Sequence, residues 1–130
     1  MADKYVDIDT LKYMLYDVHK LEDLLGRERF ADHDKESLDM FLESTKDFAD
    51  RELFPFIKEM DEKPAYHKDG KVYVHSQVET MMKKGGELGF ISASFDYDIG
   101  GMQIPLMAHT AATYILDAAN NHLPGYAGLT

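Results

Sequence analysis

The sequence predicts an all-α domain: an up-and-down helical bundle with one small hairpin or extended excursion. Apolar side chains recur at three- and four-residue steps over four stretches of the chain, which is the period of an amphipathic helix. The connections between these stretches are short, and short connections favour antiparallel neighbours. Because 130 residues is a typical length for one domain with one core, we expect residues 1–130 to form a single domain.

The first predicted helix runs from about Asp9 to Leu25. Gly26 follows it and is a natural stop. The apolar residues of this helix fall on one stripe: Leu11, Met14, Leu15, Val18, Leu21, Leu24 and Leu25.

The second predicted helix begins after Asp34 and reaches Met60. The Asp34 carboxylate can accept hydrogen bonds from first-turn amides as an N-cap, and Glu36 places negative charge near the positive end of the helix. Pro55 should kink or interrupt the helix because proline removes an amide donor and crowds the preceding turn. Its apolar stripe is Leu38, Phe41, Leu42, Thr45, Phe48, Ala49, Leu53, Phe56, Ile57 and Met60.

Two further helices complete the predicted bundle. The third runs from Ser76 to Glu87, with Ser76 as N-cap and Glu79 as its capping-box partner. The fourth runs from Pro105 to Asn121, since proline is tolerated in a first helical turn. Three glycines should weaken and end the third helix: Gly85, Gly86 and Gly89.

Between the second and third helices the chain favours extended structure. Asp69-Gly70 is a dipeptide typical of tight hairpin turns, and Val72, Tyr73 and Val74 have high β-propensity. We expect a small surface hairpin or an extended excursion here.

Composition excludes several classes of function. Asp and Glu number 24 against 14 Lys and Arg, a formal charge of -10, which opposes binding to nucleic acid or to an anionic membrane surface. Cysteine is absent, so disulfides, thiolate zinc sites and cysteine nucleophiles are excluded. The N-terminus lacks a basic segment followed by an apolar run, and no stretch is long enough to span a bilayer. We therefore expect a soluble, cytoplasmic protein.

The segment FDYDIGGMQIP has some features of a calcium-binding loop. Asp96, Asp98 and Gly101 satisfy positions 1, 3 and 6 of an EF-hand loop. Position 5 is Gly100 and position 12 is Met107, so two ligand positions, including the bidentate carboxylate, are lost. We expect no metal here and interpret the glycine pair as a backbone turn.

Other candidate sites have weaker support. The glycines at residues 85–89 close a helix, and the carbonyls of a helix C-terminus repel phosphate. The six histidines lack HxxxH or HExxH spacing, so no zinc site is predicted. Glu36, Glu43 and Asp47 are best explained as a solvated acidic face. The eight methionines favour core packing, with an adaptable apolar surface as the alternative.

The chain resembles the N-terminal domain of acyl-CoA dehydrogenases. The resemblance rests on the step Glu87–Phe90 (ELGF), the loop DYDIGGMQIP, the small-residue helix ending at Ala119-Asn120, and the ending Tyr126–Thr130 (YAGLT). It is similar in particular to the larger bacterial branch that includes methylmercaptopropionyl-CoA dehydrogenases. In that branch an additional N-terminal helix resembles YVDIDTLKYMLYDVHKLEDLL, and an inter-helix segment resembles KDGKVYVHSQV.

The resemblance implies an FAD-dependent oxidoreductase of fatty acid metabolism. Such an enzyme oxidises acyl-CoA at Cα–Cβ to the enoyl-CoA and passes electrons to an electron-transfer acceptor. The family's flavin-binding β-domain and C-terminal helical domain, which carries the catalytic glutamate, have no counterpart in residues 1–130. We therefore expect the chain alone to bind no flavin and to be inactive. We also expect an exposed apolar docking surface and a homo-oligomer.

The resemblance further implies that the fourth helix faces the acyl pocket. Thr110, Thr113, Tyr114 and Asp117 form a partly polar stripe on it, and they are the candidate substrate-binding residues. Tyr114 is the strongest candidate, because a long amphipathic ring could shape a tunnel. An exposed helix face is the alternative explanation for each of them. No residue of the chain is predicted to be catalytic or to bind a cofactor or metal.

The chain departs from the family pattern at four positions. Asp96 stands where most members have Pro, Ile99 replaces Tyr, Gln103 replaces Gly, and Tyr114 replaces Glu. The last change leaves the substrate open. The alternative function is a free-standing acidic helical module that binds a basic protein partner.

Overall fold

Helices form most of the regular structure in residues 4–122 and 124–128, the residues that this computed structural model describes. The all-α prediction with one small hairpin is confirmed. The helices are α1 (Ile8–Tyr13), α2 (Glu22–Leu25), α3 (Lys35–Glu52), α4 (Ile57–Glu62), α5 (Gln77–Glu87), α6 (Leu106–Asn120) and α7 (Pro124–Gly128). A π-helical turn (Met14–Val18) follows α1, and 3₁₀ turns occur at Glu28–Phe30, Phe54–Phe56 and Tyr97–Ile99.

The core lies mainly between α3 and α6. Alanines on α6 let its backbone approach α3 closely, since they add little volume between the helices. Phe90, after α5, extends the core by packing its ring at 6.0 Å from Phe41 and 5.3 Å from Phe48, measured between ring centroids. The buried residues of α6 are Ala108, Ala111, Ala112, Ile115, Ala119 and Asn120.

The prediction of one continuous helix from Asp9 to Leu25 is wrong. The helix widens into the π-helical turn after Tyr13, and Lys20 then adopts a left-handed conformation with φ 52°. This bend places Leu21 in the core, where it is fully buried. Leu15 and Tyr16, earlier in the same segment, are also buried. Local periodicity could not show the break, because it does not report contacts between residues far apart in sequence, such as the hydrogen bond from Tyr16 to Asp39 on α3. The segment does end at Gly26, as predicted.

Both predicted features of the second helix are confirmed. Asp34 Oδ1 accepts from Ser37 N at 2.8 Å, and Ser37 Oγ accepts from Asp34 N at 3.0 Å, which forms a capping box at the start of α3. Pro55 lies in the 3₁₀ turn that separates α3 from α4.

The predicted capping box at Ser76 is absent. Ser76 has helical dihedrals (φ -57°, ψ -26°) rather than the extended conformation of an N-cap, and its side chain makes no cap hydrogen bond. Instead, Gln77 N donates to His75 Nδ1 at 3.1 Å. The helix nonetheless spans Gln77–Glu87, close to the prediction.

The three glycines have different roles at the end of α5. Gly85 and Gly86 lie within the helix. Gly89 follows the last turn with φ 78°, a left-handed conformation that favours glycine after a helix.

The hairpin is confirmed. Strands β1 (Tyr66–Lys68) and β2 (Lys71–Tyr73) pair antiparallel. Asp69 (φ 51°) and Gly70 (φ 74°) form the two-residue turn, in which both positions are left-handed. The rings of Tyr66 and Tyr73 stack with centroids 5.1 Å apart.

The fourth predicted helix is α6, and its far end is fastened to the core by one buried amide. Asn120 Nδ2 donates to the Leu53 carbonyl at 3.1 Å and lies 3.5 Å from Met60 Sδ. Its Oδ1 accepts from His122 N at 3.1 Å. These bonds join α6 to the turn after α3. No helix within the described ranges, 4–122 and 124–128, has the length and apolar character needed to cross a membrane.

Candidate functional site

An open, mostly apolar groove of about 780 Å³ runs beside α6. One wall is α6, with Met107, Thr110, Ala111 and Tyr114. The other wall is the N-terminal segment, which we define as residues 4–21. It contributes among others Val6, Leu11, Met14 and Leu15. We call this space the N-terminal groove.

The N-terminal segment is held in place by hydrogen bonds to α3. The Tyr5 hydroxyl donates to Asp50 Oδ1 at 2.9 Å, and the Tyr16 hydroxyl donates to Asp39 Oδ1 at 2.8 Å. Between them, Lys12 Nζ donates to Glu43 Oε1 at 2.7 Å. Glu36, Glu43 and Asp47 are exposed, in agreement with the predicted solvated acidic face, and Glu43 in addition pairs with Lys12 of the N-terminal segment.

The electrostatics of these contacts follow from their partial burial. Burial, followed by the hydrogen bond to Asp39, raises the pKa of Tyr16, so its hydroxyl keeps its proton and remains a donor. Burial disfavours the charged form of Asp50, but hydrogen bonds from Lys46 and Tyr5 outweigh it and hold the pKa of Asp50 below its usual value. Near neutral pH, Tyr16 therefore stays protonated and Asp50 stays ionised, so both hydrogen bonds that attach the groove wall to α3 are retained.

A smaller groove of about 370 Å³ lies along another face of α6, and we call it the α7 groove. Its lining includes Phe90, His109, Thr113, Leu116 and Pro124. His109 Nδ1 is 3.0 Å from Ser94 Oγ, and burial lowers the pKa of His109.

The structure divides the predicted substrate-binding stripe between these two grooves. Thr110 and Tyr114 line the N-terminal groove, and the Tyr114 side chain is 53% exposed. Thr113 lines the α7 groove, where its hydroxyl donates to the His109 carbonyl at 3.0 Å. Asp117 lines neither the N-terminal groove nor the α7 groove. Partial burial raises the pKa of its carboxyl group. A substrate role for all four stays a prediction.

Sequence reasoning missed the N-terminal wall of the larger groove. It assigned Met14 to an apolar core stripe, whereas this side chain is 40% exposed. Met107 lies on the opposite wall. The high methionine content was the available signal, since flexible thioethers are common at adaptable apolar surfaces.

The loop before α6 is a backbone turn, as predicted for its glycine pair. Gly100 has φ 85°. Gly101 is required for a different reason: a Cβ there would lie 2.0 Å from the Phe95 carbonyl oxygen. Its amide donates to the Asp96 carbonyl at 2.9 Å, and the Asp96 carboxylate pairs with Arg29 Nη2 at 2.5 Å.

Gln103 stands where the family resemblance has glycine, and its backbone adopts a conformation that favours glycine. Gln103 has φ 49°, a left-handed conformation in which glycine carries no steric penalty. Its side-chain amide donates to the Arg29 carbonyl at 3.0 Å, and its backbone amide donates to the Phe95 carbonyl at 2.9 Å. These bonds give glutamine local support at a position where the family resemblance has glycine.

Among the described residues, neither groove shows a grouping of side chains typical of a metal site or a cationic partner for the pyrophosphate of a flavin. Across the described residues, no cluster of three or more His, Asp or Glu side chains is placed to hold a metal. The lining of each groove, as far as the structure describes it, contains no Lys or Arg to offset the pyrophosphate of a flavin dinucleotide.

Comparison with known families explains this arrangement of helices. The model of the family described as "Acyl-CoA dehydrogenase, N-terminal domain" matches residues 35–128. A comparison with curated proteins gave no match. The matched range begins at the first residue of α3 and includes the hairpin, the glycine loop and α6, whereas the N-terminal segment lies outside it. Since the match covers well over half of the chain, this protein belongs to the acyl-CoA dehydrogenase N-terminal domain family.

Proposed function

We propose that this chain is the N-terminal helical domain of an FAD-dependent acyl-CoA dehydrogenase, where it contributes a wall of the acyl pocket. The observation that carries the proposal is the position of Tyr114. It lies on α6, within the range matched by the family, and its exposed ring borders a mostly apolar groove. An apolar groove with a few polar groups is the usual form of a small-molecule site.

The proposed parent enzyme oxidises an acyl-CoA to the enoyl-CoA. In such an enzyme a bound FAD would supply the hydride-accepting chemistry at Cβ, and a carboxylate base would remove the proton from Cα. We assign neither role to residues of this chain. Their proposed contribution is to exclude water from the acyl group and to set its position, with Thr110 as a hydrogen-bonding group and Tyr114 as the side chain that shapes the pocket.

Exposed apolar side chains support docking against other domains or copies. Four of them cluster along the loop before α6 and at its start; their exposed fractions are 51%, 47%, 66% and 69%. Side chains of this size lose their unfavourable water contact when a partner covers them. They are Phe95, Tyr97, Ile99 and Leu106.

The proposal extends to the branch of the family, the localisation, the oligomeric state and the electron acceptor. The N-terminal segment, outside the family match, supports the larger bacterial branch that includes methylmercaptopropionyl-CoA dehydrogenases. We further propose a cytoplasmic homo-oligomer that passes electrons to an electron-transfer acceptor. The high negative charge is compatible with an electron acceptor that presents a basic surface.

The first test is the reading frame beyond Thr130. A continuation that encodes a flavin-binding β-domain and a later helical domain supports the proposal. A stop codon directly after Thr130 would contradict it and favour a free-standing acidic interaction module.

The second test is spectroscopic. The purified 130-residue chain should show no flavin absorbance, whereas the protein encoded by the full frame should be yellow and bleach with a saturated acyl-CoA. Tyr114→Ala in that protein should change its preference for acyl chain length, while Tyr13→Ala, at a 58% exposed position, should not. A full-length protein that binds no flavin would refute the assignment.

A further inference from the structure

We propose that the hairpin of one copy of this chain docks on the exposed face of α3 in a second copy, and that the two copies do so reciprocally. We call that face the α3 stripe and define it as Glu36, Met40, Glu43 and Asp47. The inference deepens the homo-oligomer named in the proposed function and rests on that part of it alone. It concerns two surfaces that the proposed acyl pocket does not use.

One face of the hairpin combines two aromatic rings with two cations. Cross-strand partners in an antiparallel pair share a face, and so do residues two apart on one strand. The register pairs Tyr66 with Tyr73 and Lys68 with Lys71, so all four side chains lie on the same face. All four are exposed, Tyr66 by 58% and Tyr73 by 42%. This face therefore presents an apolar patch beside a concentrated positive charge.

The hairpin gains stability when an anionic surface covers this face. Like charges directly opposite each other on two strands repel, as Lys68 and Lys71 do here. A two-stranded hairpin is also only marginally stable by itself, and every residue from 61 to 74 is exposed. Residues 63–75 contain three lysines and one aspartate, in a chain whose formal charge is -10. An acidic partner would relieve the repulsion and bury the rings.

The α3 stripe has the complementary chemistry. Its residues follow steps of four and three, so they lie along one line of the helix, and all are exposed. Met40, 62% exposed, borders a depression of about 430 Å³ that Glu43 and Asp47 also line. Lys46 lines the same depression, but its Nζ pairs with Asp50 Oδ2 at 2.8 Å. A thioether beside aromatic rings makes a favourable contact, so Met40 suits the stacked tyrosines of the hairpin.

The carboxylates of the stripe can accept further cations. Glu43 Oε1 pairs with Lys12 Nζ at 2.7 Å, and Asp47 Oδ2 pairs with Arg51 Nη2 at 3.0 Å. The two acidic side chains are 62% and 73% exposed, and ion pairs at such positions are weak. Since a carboxylate accepts several hydrogen bonds at once, neither pair prevents binding of a lysine from a second copy.

The spacings of the two surfaces agree. Residues two apart on a strand are about 7 Å apart, which separates the tyrosine pair from the lysine pair. With a helical rise of about 1.5 Å per residue, Glu43 lies about 5 Å and Asp47 about 10 Å beyond Met40 along α3. When the hairpin lies along α3 with its rings on Met40, its lysines therefore come between these carboxylates. Two reciprocal contacts close a two-fold dimer, the commonest symmetry of soluble oligomers.

Charge reversal on each surface separately tests the contact. Lys68→Glu/Lys71→Glu should weaken self-association of the 130-residue chain about tenfold or more in sedimentation equilibrium, because like charges then face each other. Ser44→Lys/Asp47→Lys, at two residues that line the depression, should weaken it similarly. The second variant leaves the ion pair of Glu43 in place, so the attachment of the N-terminal segment is unaffected.

A mixture of the two variants provides the decisive measurement. Together they should form a heterodimer about as stable as the wild-type dimer, because opposite charges then face each other at both contacts. Misfolding of either variant could not produce this rescue. Lys58→Glu/Lys83→Glu is the matched control for the hairpin variant, since it changes the net charge equally at two exposed positions outside the hairpin. The control should associate like the wild type.

Four outcomes would overturn the inference. A wild-type chain that stays monomeric at about 1 mM would show that no second copy covers these surfaces. Unchanged association of Lys68→Glu/Lys71→Glu would place the contact elsewhere. Variants that stay monomeric when mixed would show that the hairpin does not face the stripe. An equal loss in Lys58→Glu/Lys83→Glu would indicate general charge repulsion. The enzyme assignment is tested by the reading frame and by flavin absorbance, so it can fail separately.

Discussion

The Tyr16 hydroxyl donates a 2.8 Å hydrogen bond to Asp39 Oδ1 and thereby connects the N-terminal segment to α3. Lys35 Nζ lies 4.6 Å from the centre of the same ring, so one side chain combines a charged hydrogen bond with a cation–π contact. Tyr16 is 6% exposed. Without this contact, one wall of the candidate site would lose a principal attachment to the bundle.

Tyr16→Phe should lower the free energy of unfolding by about 1–2 kcal/mol, because a hydrogen bond to a charged acceptor is lost while the ring is retained. Urea denaturation followed by circular dichroism measures this. Tyr13→Phe, at an exposed position, is the control and should leave the stability unchanged. Equal stability of the two variants would show that the Tyr16 hydroxyl does not hold the segment.

Asn120→Ala should destabilise the protein by about 2–3 kcal/mol, because it removes the donor to the buried Leu53 carbonyl. Thermal and urea unfolding provide the measurement. Asn121→Ala changes the same residue type one position later, at an exposed site, and should cost under about 0.5 kcal/mol. A similar loss in both variants would refute a special role for the Asn120 amide.

Gly101→Ala should destabilise by about 2–3 kcal/mol, because its Cβ would overlap the Phe95 carbonyl and force a backbone shift. Gly125→Ala is the matched control, since a Cβ there meets nothing within 4 Å. Differential scanning calorimetry can compare the two. A Gly101→Ala protein as stable as the wild type would mean that the loop adopts another conformation.

His109 should make stability depend on pH in the mildly acidic range. Burial lowers the pKa of His109 below its ordinary value of 6.5, so the unfolded state binds its proton more readily. Stability should therefore fall as the pH drops through 6.5 and continue to fall until the folded state is protonated as well.

Measuring unfolding between about pH 7.5 and 5 in the wild type and in His109→Gln isolates this contribution. The variant should show a shallower decline. An unchanged slope in His109→Gln would assign the pH dependence to other groups.

Local chemistry made several elements predictable. Asp34 forms a cap because its short carboxylate reaches the amide three residues on, and Asp69-Gly70 forms a hairpin turn because both residues tolerate left-handed dihedrals. Pro55 interrupts the second helix for a similarly local reason. Ser76 looked equivalent to Asp34 in sequence, but its neighbour His75 accepts the amide bond instead.

The candidate site was only partly predictable. The spacing of Thr110, Thr113 and Tyr114 placed them on neighbouring positions of one helix, and that helix exists as predicted. Spacing could not show that two different grooves flank the helix. The partners of each groove come from segments far away in sequence, and only their packing assigns Thr113 to one and Tyr114 to the other.

The sequence by itself determined the helical class, the hairpin, most helix boundaries and the family resemblance that the match over residues 35–128 supports. These depend on periodicity and turn chemistry, which act over a few residues. The tertiary structure alone decided that the first helix breaks and that Met14 faces α6 across a groove. The reason is that burial of Leu21 and the bond from Tyr16 to Asp39 are long-range contacts, and they outweigh the local preference for a continuous helix.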